Sequence, residues 1–126
     1  MTERFYEELT DALGKYEGDI WTETVLSGEN AGEKRMIFGN PEEKQDVFCE
    51  RVGRIPKLVI CGGGHVSMPI VRMGKMLGFT VTVLEDRPKF ADNARAAGAN
   101  RVLCSPFAEG LSEIPGDSDT WFVIVT

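Results

Sequence analysis

The feature that most constrains the fold of this chain is a series of four short apolar segments in its second half. These segments are KLVIC from Lys57, TVTVL from Thr80, RVLC from Arg101 and WFVIV from Trp121. They are rich in β-branched residues and nearly free of polar ones, as is typical of strands buried on both faces of a parallel sheet. Helix start and stop signals over 66–77, 88–97 and 106–113 alternate with them. We therefore predict an α/β domain over residues 55–126, with four parallel strands in the order 3-2-1-4.

Residues 1–54 are predicted to form a separate small α+β segment. Apolar residues at three- and four-residue spacing indicate a helix over 3–16. The β-prone stretches IWTETVLS and EKRMIF, joined by GENAG, predict a β-hairpin. An N-cap at Asn40 followed by Pro41 predicts a second helix, which would end near Gly53. Its apolar face would consist of Val47, Phe48 and Val52.

Charge and hydropathy exclude several classes of function. The net charge is −6, and because binding to phosphate backbones rests on clustered Lys and Arg, we expect neither a nucleic acid nor an anionic membrane as partner. No apolar stretch approaches the roughly 20 residues of a spanning helix. The N-terminus is acidic where a signal peptide would be basic and then apolar. We therefore expect a cytoplasmic protein without a membrane segment.

A glycine loop follows the first of the four apolar segments. In GGGHVS, Gly62, Gly64 and Ser67 occupy the G-x-G-x-x-G frame between a strand and a helix. The first position allows a tight turn, the second lets the backbone approach a phosphate, and the third needs a small side chain against the strand. Free N–H groups and the helix dipole favour an anion there. The loop predicts a phosphate-bearing ligand; alternatively, it is a turn that only lets the helix fold back.

An acidic pair ends the second apolar segment. Glu85 and Asp86 follow Ser67 at the spacing at which a carboxylate binds the ribose hydroxyls of a dinucleotide and repels a 2′-phosphate. Alternatively, both residues cap the helix that begins near Pro88. Arg87 has two interpretations of equal weight, because it could pair with a ligand phosphate or with its acidic neighbours.

The segment Leu58–Leu103 resembles the Rossmann domain of the XdhC/CoxI family, the accessory factors of xanthine dehydrogenase and related molybdenum hydroxylases. The likeness rests on the glycine loop with His65 directly after it, on LGFTVTVLEDRPKFA and on WFVIVT. It is good over 57–126 and loose over 20–53. It implies an incomplete Rossmann-like sheet, because family members continue beyond the fourth strand, and we expect part of the pocket to lie in those further segments.

The resemblance implies a role in maturation and no catalytic residue of this chain's own. Such factors bind molybdenum cofactor, support its sulfuration by a cysteine desulfurase and deliver it to the apo-hydroxylase. The cofactor would be the molybdenum cofactor (molybdopterin) or an NAD-like dinucleotide. The candidate cofactor-binding residues are Gly62, Gly63, Gly64, His65, Val66, Ser67, Glu85, Asp86 and Arg87.

The cysteines, Cys49, Cys61 and Cys104, form no CxxC pair, and a single histidine is too little for a metal site. We expect Cys49 and Cys104 to be small buried side chains. Cys61 ends the first strand beside a helix N-terminus, so it could be a thiolate that contacts sulfur or molybdenum. The favoured interpretation of Cys61 is nevertheless a strand residue chosen for its size.

Two other functions remain open, an NAD-dependent dehydrogenase and an NAD-sensing regulatory domain. A dehydrogenase needs an acid or base beside the substrate carbon, whereas the only histidine, His65, lies in the cofactor loop itself. The EDRPKF stretch from Glu85 is not typical of the sensing domains. The fourth strand should lie at an open edge of the sheet, so we also expect copies of the chain to associate into a homo-oligomer.

Overall fold

The computed structural model describes residues 2–126 and divides the chain into two compact units, Met1–Arg54 and Ile55–Thr126. The N-terminal unit contains one helix, α1 (Thr2–Lys15), and three strands. The strands are β1 (Ile20–Val25), β2 (Lys34–Phe38) and β3 (Val47–Arg51). They form an antiparallel sheet in the order β2-β1-β3, in which Thr22 of β1 lies opposite Met36 and Glu50. The predicted first helix and hairpin are confirmed.

The predicted second helix of this unit is wrong, because its apolar residues belong to β3. Along β3 the side chains alternate between half-buried and exposed, with Cys49 half-buried between exposed Phe48 and Glu50. This period of two lets the strand pair with β1, which a helix could not do. The capping signals at Asn40 and Pro41 instead start an irregular connection, which ends in a turn with Asp46 at φ 58°.

The C-terminal unit alternates strands and helices as predicted. Its strands are β4 (Lys57–Cys61), β5 (Thr80–Glu85), β6 (Arg101–Cys104) and β7 (Thr120–Ile124), and its helices are α2 (Ser67–Met76), α3 (Pro88–Ala96) and α4 (Phe107–Ser112). All strand pairs are parallel, in the order β6-β5-β4-β7, which is the predicted order. Ile60 in β4 lies opposite Val83 of β5 and Val123 of β7. The four-stranded Rossmann-like sheet is therefore confirmed.

Apolar side chains cover both faces of this sheet. Residues of β4 alternate between two clusters, because successive strand side chains point to opposite faces. One cluster contains Leu58, Ile60, Val71, Val81, Val83 and Ala94. The other contains Val59, Cys61 and Leu84, against which Leu103, Phe107 and Ile114 pack. The two layers hold the carboxyl ends of β4 and β5 rigidly, and the glycine loop extends from there.

Strand β7 differs from its neighbours because it lies at the edge of the sheet. Among the described strands it pairs with β4 alone. Its side chains Trp121, Phe122 and Ile124 are exposed, the first on one face of the sheet and the other two on the opposite face. An apolar edge with ladder groups open on one side is a typical site of association. The association of copies through this edge stays a prediction.

Candidate functional site

The glycine loop begins where β4 ends, and the conformation of its first residue strongly favours glycine. Gly62 has φ 115°, a conformation that side chains rarely adopt. A Cβ atom there would lie 2.8 Å from the carbonyl oxygen of Val125, just beyond β7. The N–H of Gly62 donates to the carbonyl of Leu84 in β5, at 2.8 Å. The loop is thus fixed by the backbones that flank β4 on both sides.

Ser67 closes the loop at the start of α2. Its hydroxyl donates to the carbonyl oxygen of Gly62 at 2.5 Å, and the side chain is buried. Its backbone N–H donates to the carbonyl of Gly64 at 3.1 Å. A serine at the third position of the glycine frame therefore ties the first turn of the helix to the strand end, which a glycine could not do.

Gly63 lies against the carboxylate of Glu85. Its N–H donates to Glu85 Oε2 at 2.5 Å, across 22 residues of sequence. A Cβ atom at Gly63 would lie 3.1 Å from the same oxygen and 3.1 Å from the carbonyl oxygen of Phe90. Gly63 is therefore needed for the close approach of a carboxylate from the protein itself, and its N–H is not free for a ligand phosphate.

Glu85 is only 1% exposed, and its two oxygens are occupied by donors of the protein. Oε1 accepts the backbone N–H groups of Asp86 at 3.1 Å and Arg87 at 3.2 Å. The Arg87 guanidinium donates from Nε to Oε1 at 3.0 Å and from Nη2 to Oε2 at 3.2 Å. The Arg87 guanidinium is the main cause that lowers the pKa of Glu85 to about 2, against the opposing effect of burial, and the Gly63 N–H adds to it. The carboxylate is thus ionised at neutral pH.

Arg87 is oriented from two sides, yet its side chain is 58% exposed. One side is the Glu85 carboxylate; on the other, the guanidinium carbon lies 3.9 Å from the centre of the Phe90 ring. Asp86 Oδ1 lies 4.0 Å from Arg87 Nε. Hydrogen bonding to Glu85 is the main cause that raises the pKa of Arg87. The side chain is a fixed cation at the surface of the site.

Backbone donors remain available at the far end of the loop. Within residues 2–126, the N–H groups of Gly64, His65 and Val66 donate to no acceptor of the protein. A Cβ atom at Gly64 would have no described atom within 4 Å, and the side chains of His65 and Val66 are exposed. Adjacent free N–H groups at the start of α2 are donors of the kind that suits an anionic group.

Cys61 points away from this surface. It is 4% exposed and packs in the apolar cluster with Val59 and Leu84, and burial raises the pKa of its thiol. That direction is opposite to the activation considered from the sequence, so the geometry favours a packing role. The expectation that Cys104 is buried is wrong, because it is exposed; Cys49 is half-buried.

The structure brings the nine candidate residues of the loop and strand end together at the carboxyl ends of β4 and β5. Cys61 lies beneath them in the apolar cluster. Sequence reasoning missed two residues that shape the site. Phe90 supports Arg87, and its proximity to the EDRP stretch was a signal that could have found it. Val125 limits the space at Gly62, and no local pattern indicates a contact across 63 residues, the difference between their numbers.

Neither a metal cluster nor a spanning helix is found in the part of the chain that the structure describes. Over residues 2–126 no group of three or more His, Cys, Asp or Glu side chains is arranged to hold a metal ion. Within the same residues, no helix combines the length and the apolar character needed to cross a bilayer.

Comparison with known proteins identifies the C-terminal unit. The family model described as the XdhC Rossmann domain matches residues 58–126, more than half of the chain. No curated protein matches the chain. A crystal structure of a xanthine dehydrogenase from Bacillus halodurans is similar in fold, with a TM-score of 0.62 at 18% identity. The match covers 96% of this chain and 42% of that one, so the present chain spans less than half of its structural neighbour.

Proposed function

Because this chain belongs to the XdhC Rossmann-domain family, we propose that it is an accessory factor of a molybdenum hydroxylase of the xanthine dehydrogenase type. In this proposal it binds the molybdenum cofactor through the cofactor's phosphate or pyrophosphate. It presents the bound cofactor for sulfuration by a cysteine desulfurase and for insertion into the apo-hydroxylase. It acts as a carrier and has no catalytic residue of its own.

The observation that carries the proposal is the set of free N–H groups of Gly64, His65 and Val66 at the start of α2. The phosphate of the molybdenum cofactor fits such donors, because backbone N–H groups and the helix dipole bind anions without a cationic side chain. The open space at Gly64 lets the phosphate approach the backbone. The backbone of these three residues would hold the cofactor, and the side chain of His65 is a candidate for a second contact.

The reaction of the cofactor takes place in the client enzyme. Once it is inserted there, the cofactor would supply the molybdenum centre of that enzyme. The residues of this chain support binding and presentation only. Cys61 does not support a role as sulfur carrier, because its thiol is buried and burial raises its pKa. We therefore assign the sulfur donor to the partner desulfurase and not to Cys61.

An NAD-binding function is the second candidate, since the glycine loop has the strand–turn–helix context of a dinucleotide site. The hydrogen bonds of Glu85 argue against the usual mode of NAD binding, in which this carboxylate binds the ribose hydroxyls. The ribose hydroxyls would have to replace donors that already occupy both carboxylate oxygens. We therefore place the NAD-binding dehydrogenase and the NAD-sensing domain behind the accessory factor.

Calorimetric titration of a matched pair of variants tests the proposal. Gly64→Val places a side chain where the phosphate approaches, and Gly116→Val adds the same group at another glycine with open space. We expect wild type and Gly116→Val to bind molybdenum cofactor equally and Gly64→Val to lose binding, with circular dichroism unchanged in all three. Absence of binding by the wild type, or equal binding by Gly64→Val, would contradict the proposal.

A further inference from the structure

The end of β5 presents a cation where the sequence suggested an acid. The Glu85 carboxylate is 1% exposed and accepts hydrogen bonds from three backbone N–H groups and the Arg87 guanidinium. A ribose could reach it only by displacing these donors, each of which would lose a charge-assisted hydrogen bond. Glu85 is therefore not available as a ligand contact.

Arg87 is the charged group that this arrangement leaves facing solvent. Its guanidinium uses Nε and Nη2 on Glu85, while its second terminal nitrogen has no partner among the described residues. Phe90 lies beneath the guanidinium plane, which limits its rotation. Because Glu85 Oε2 accepts from both Arg87 and Gly63, the cation lies directly beside the glycine loop.

We propose that Glu85 is a positioning residue that fixes the Gly63 peptide and the Arg87 guanidinium, and that Arg87 contacts the ligand. This end of the site would then take a phosphate or another anionic group instead of a ribose diol. The inference rests on the proposed function for the existence of a phosphate-bearing ligand, and it adds which group of the ligand lies at the β5 end. Phosphate at this position could come from a ribose-free pterin or from the 2′-phosphate of a dinucleotide.

Binding of three probes to a set of variants tests the contact with Arg87. The probes are inorganic pyrophosphate, NAD⁺ and NADP⁺, titrated by calorimetry at one ionic strength. We expect Arg87→Ala to weaken pyrophosphate or NADP⁺ by about tenfold or more, the loss of one charge-assisted hydrogen bond. Arg87→Lys should recover part of that loss, and Phe90→Leu should weaken binding about threefold. Arg95→Ala, at an exposed arginine of α3 paired with Asp92, is the matched control and should bind as wild type.

The source of the phosphate follows from the same titrations. Tighter binding of NADP⁺ than of NAD⁺, with the preference lost in Arg87→Ala, places a 2′-phosphate at Arg87. Binding of pyrophosphate that Arg87→Ala weakens, with no preference between the dinucleotides, places the phosphate of a ribose-free ligand there. Equal binding of every probe to Arg87→Ala and wild type overturns the inference.

Glu85→Gln separates positioning from ligand contact, with Glu109→Gln as an exposed control. A positioning role predicts that Glu85→Gln weakens the same probes that Arg87→Ala weakens, and that it weakens NAD⁺ no more than these, because no ribose contact is lost. Weakening of NAD⁺ alone would overturn the inference. Without any ligand, nuclear magnetic resonance should show a protected Arg87 Nε–H and a displaced Gly63 amide signal in wild type, both lost in Glu85→Gln and kept in Glu109→Gln.

Failure of the inference and failure of the proposed function give different results. Wild type that binds pyrophosphate through Arg87 but not molybdenum cofactor contradicts the proposed function and leaves the inference standing. If wild type and Arg87→Ala bind molybdenum cofactor equally, the inference is contradicted and the proposed function stands. Wild type that binds none of the probes and no cofactor overturns both, whatever the resonance signals show.

Discussion

The N-terminal and C-terminal units each contain a glutamate that is 1% exposed, and they neutralise it in different ways. Glu23, in the middle of β1, is paired with the side chains of Arg35 and Lys44. Glu85, at the end of β5, accepts the N–H groups of Gly63, Asp86 and Arg87 as well as the Arg87 guanidinium. One carboxylate is bound by side chains that can move away, and the other by the backbone of a loop.

This difference shows which kind of burial fixes a conformation. Arg35 and Lys44 are 59% and 45% exposed, so each can turn into water if Glu23 loses its charge. The N–H groups around Glu85 have no such freedom, because their direction is set by the chain itself. We expect substitutions in the C-terminal unit to alter a site, and equivalent ones in the N-terminal unit to alter only local stability. Trp21 and Trp121, one in each unit, allow single-tryptophan variants to report on the units separately.

The largest expected effect comes from two glycines with similar backbone conformation. Gly62 and Gly39 have φ of 115° and 89°, but a Cβ atom at Gly62 meets Val125 at 2.8 Å, whereas none of the described atoms lies within 4 Å at Gly39. Gly39→Ala should cost about 1 kcal/mol, the strain of the left-handed conformation. Gly62→Ala should cost about 3 kcal/mol or more, because a backbone displacement adds to that strain. Urea unfolding measures both, and equal costs would mean that the edge at β7 yields easily.

Glu85→Gln should reduce the free energy of unfolding of the C-terminal unit by about 3 kcal/mol. The amide NH₂ group of glutamine would face the N–H donors that the carboxylate oxygen accepts in wild type. Trp121 fluorescence in a Trp21→Phe background measures this loss during urea unfolding. Trp21 fluorescence in the Trp121→Phe background should be unchanged. A loss below 1 kcal/mol would show that the loop backbone does not depend on the carboxylate.

The stability of the C-terminal unit should also depend on pH through Glu85. Its pKa in the folded chain is about 2, below the usual 4.5, so the folded state binds the proton less well than the unfolded state. The stabilisation is therefore complete above about pH 4.5 and is lost as the pH falls towards 2. We expect it to amount to about 2 kcal/mol, since Arg87 is partly hydrated. The difference in free energy of unfolding between wild type and Glu85→Gln should therefore shrink by about 2 kcal/mol between pH 6 and pH 2; parallel curves would contradict the assignment.

Glu23→Gln should have the smallest effect, about 1 kcal/mol, confined to the N-terminal unit. The two cations can be solvated, and the amide keeps most of the buried volume. Trp21 fluorescence in the Trp121→Phe background measures the change. A cost equal to that of Glu85→Gln would break the comparison, because it would show that pairing by side chains and by backbone has the same value.

The sequence predicted those parts of the fold that depend on local pattern. Four nearly continuous apolar segments predicted the parallel sheet and its order, and the spacing of Gly62, Gly64 and Ser67 predicted the loop. The same kind of local signal failed at Asn40 and Pro41, where capping residues predicted a helix. The competing signal was the alternation of half-buried and exposed side chains along β3. This alternation favours a strand only because β1 offers an edge with which β3 can pair. Propensity was overridden by a tertiary partner.

The candidate site was predicted in location and less well in roles. Glu85 was found by its distance from the glycine loop, but its partners lie on a peptide 22 residues away and on the two residues directly before α3. Nothing in a one-dimensional pattern says whether a carboxylate faces water or the backbone, since that depends on how close the two chain segments come. The two interpretations of Arg87 could not be separated for the same reason; in the structure it pairs with Glu85 and remains exposed.

The contact between Gly62 and Val125 also sets an order of events in time. Strand β4 can pair with β5 after closing a short loop, whereas pairing with β7 requires residues about 60 positions apart to meet, and longer closures form more slowly. The turn at Gly62 has its final neighbour only after that closure. We therefore expect the hydrogen-bonded amides of Gly62 and Gly63 to become protected from hydrogen exchange later in refolding than the β4–β5 pair, so that ligand-binding competence is acquired last.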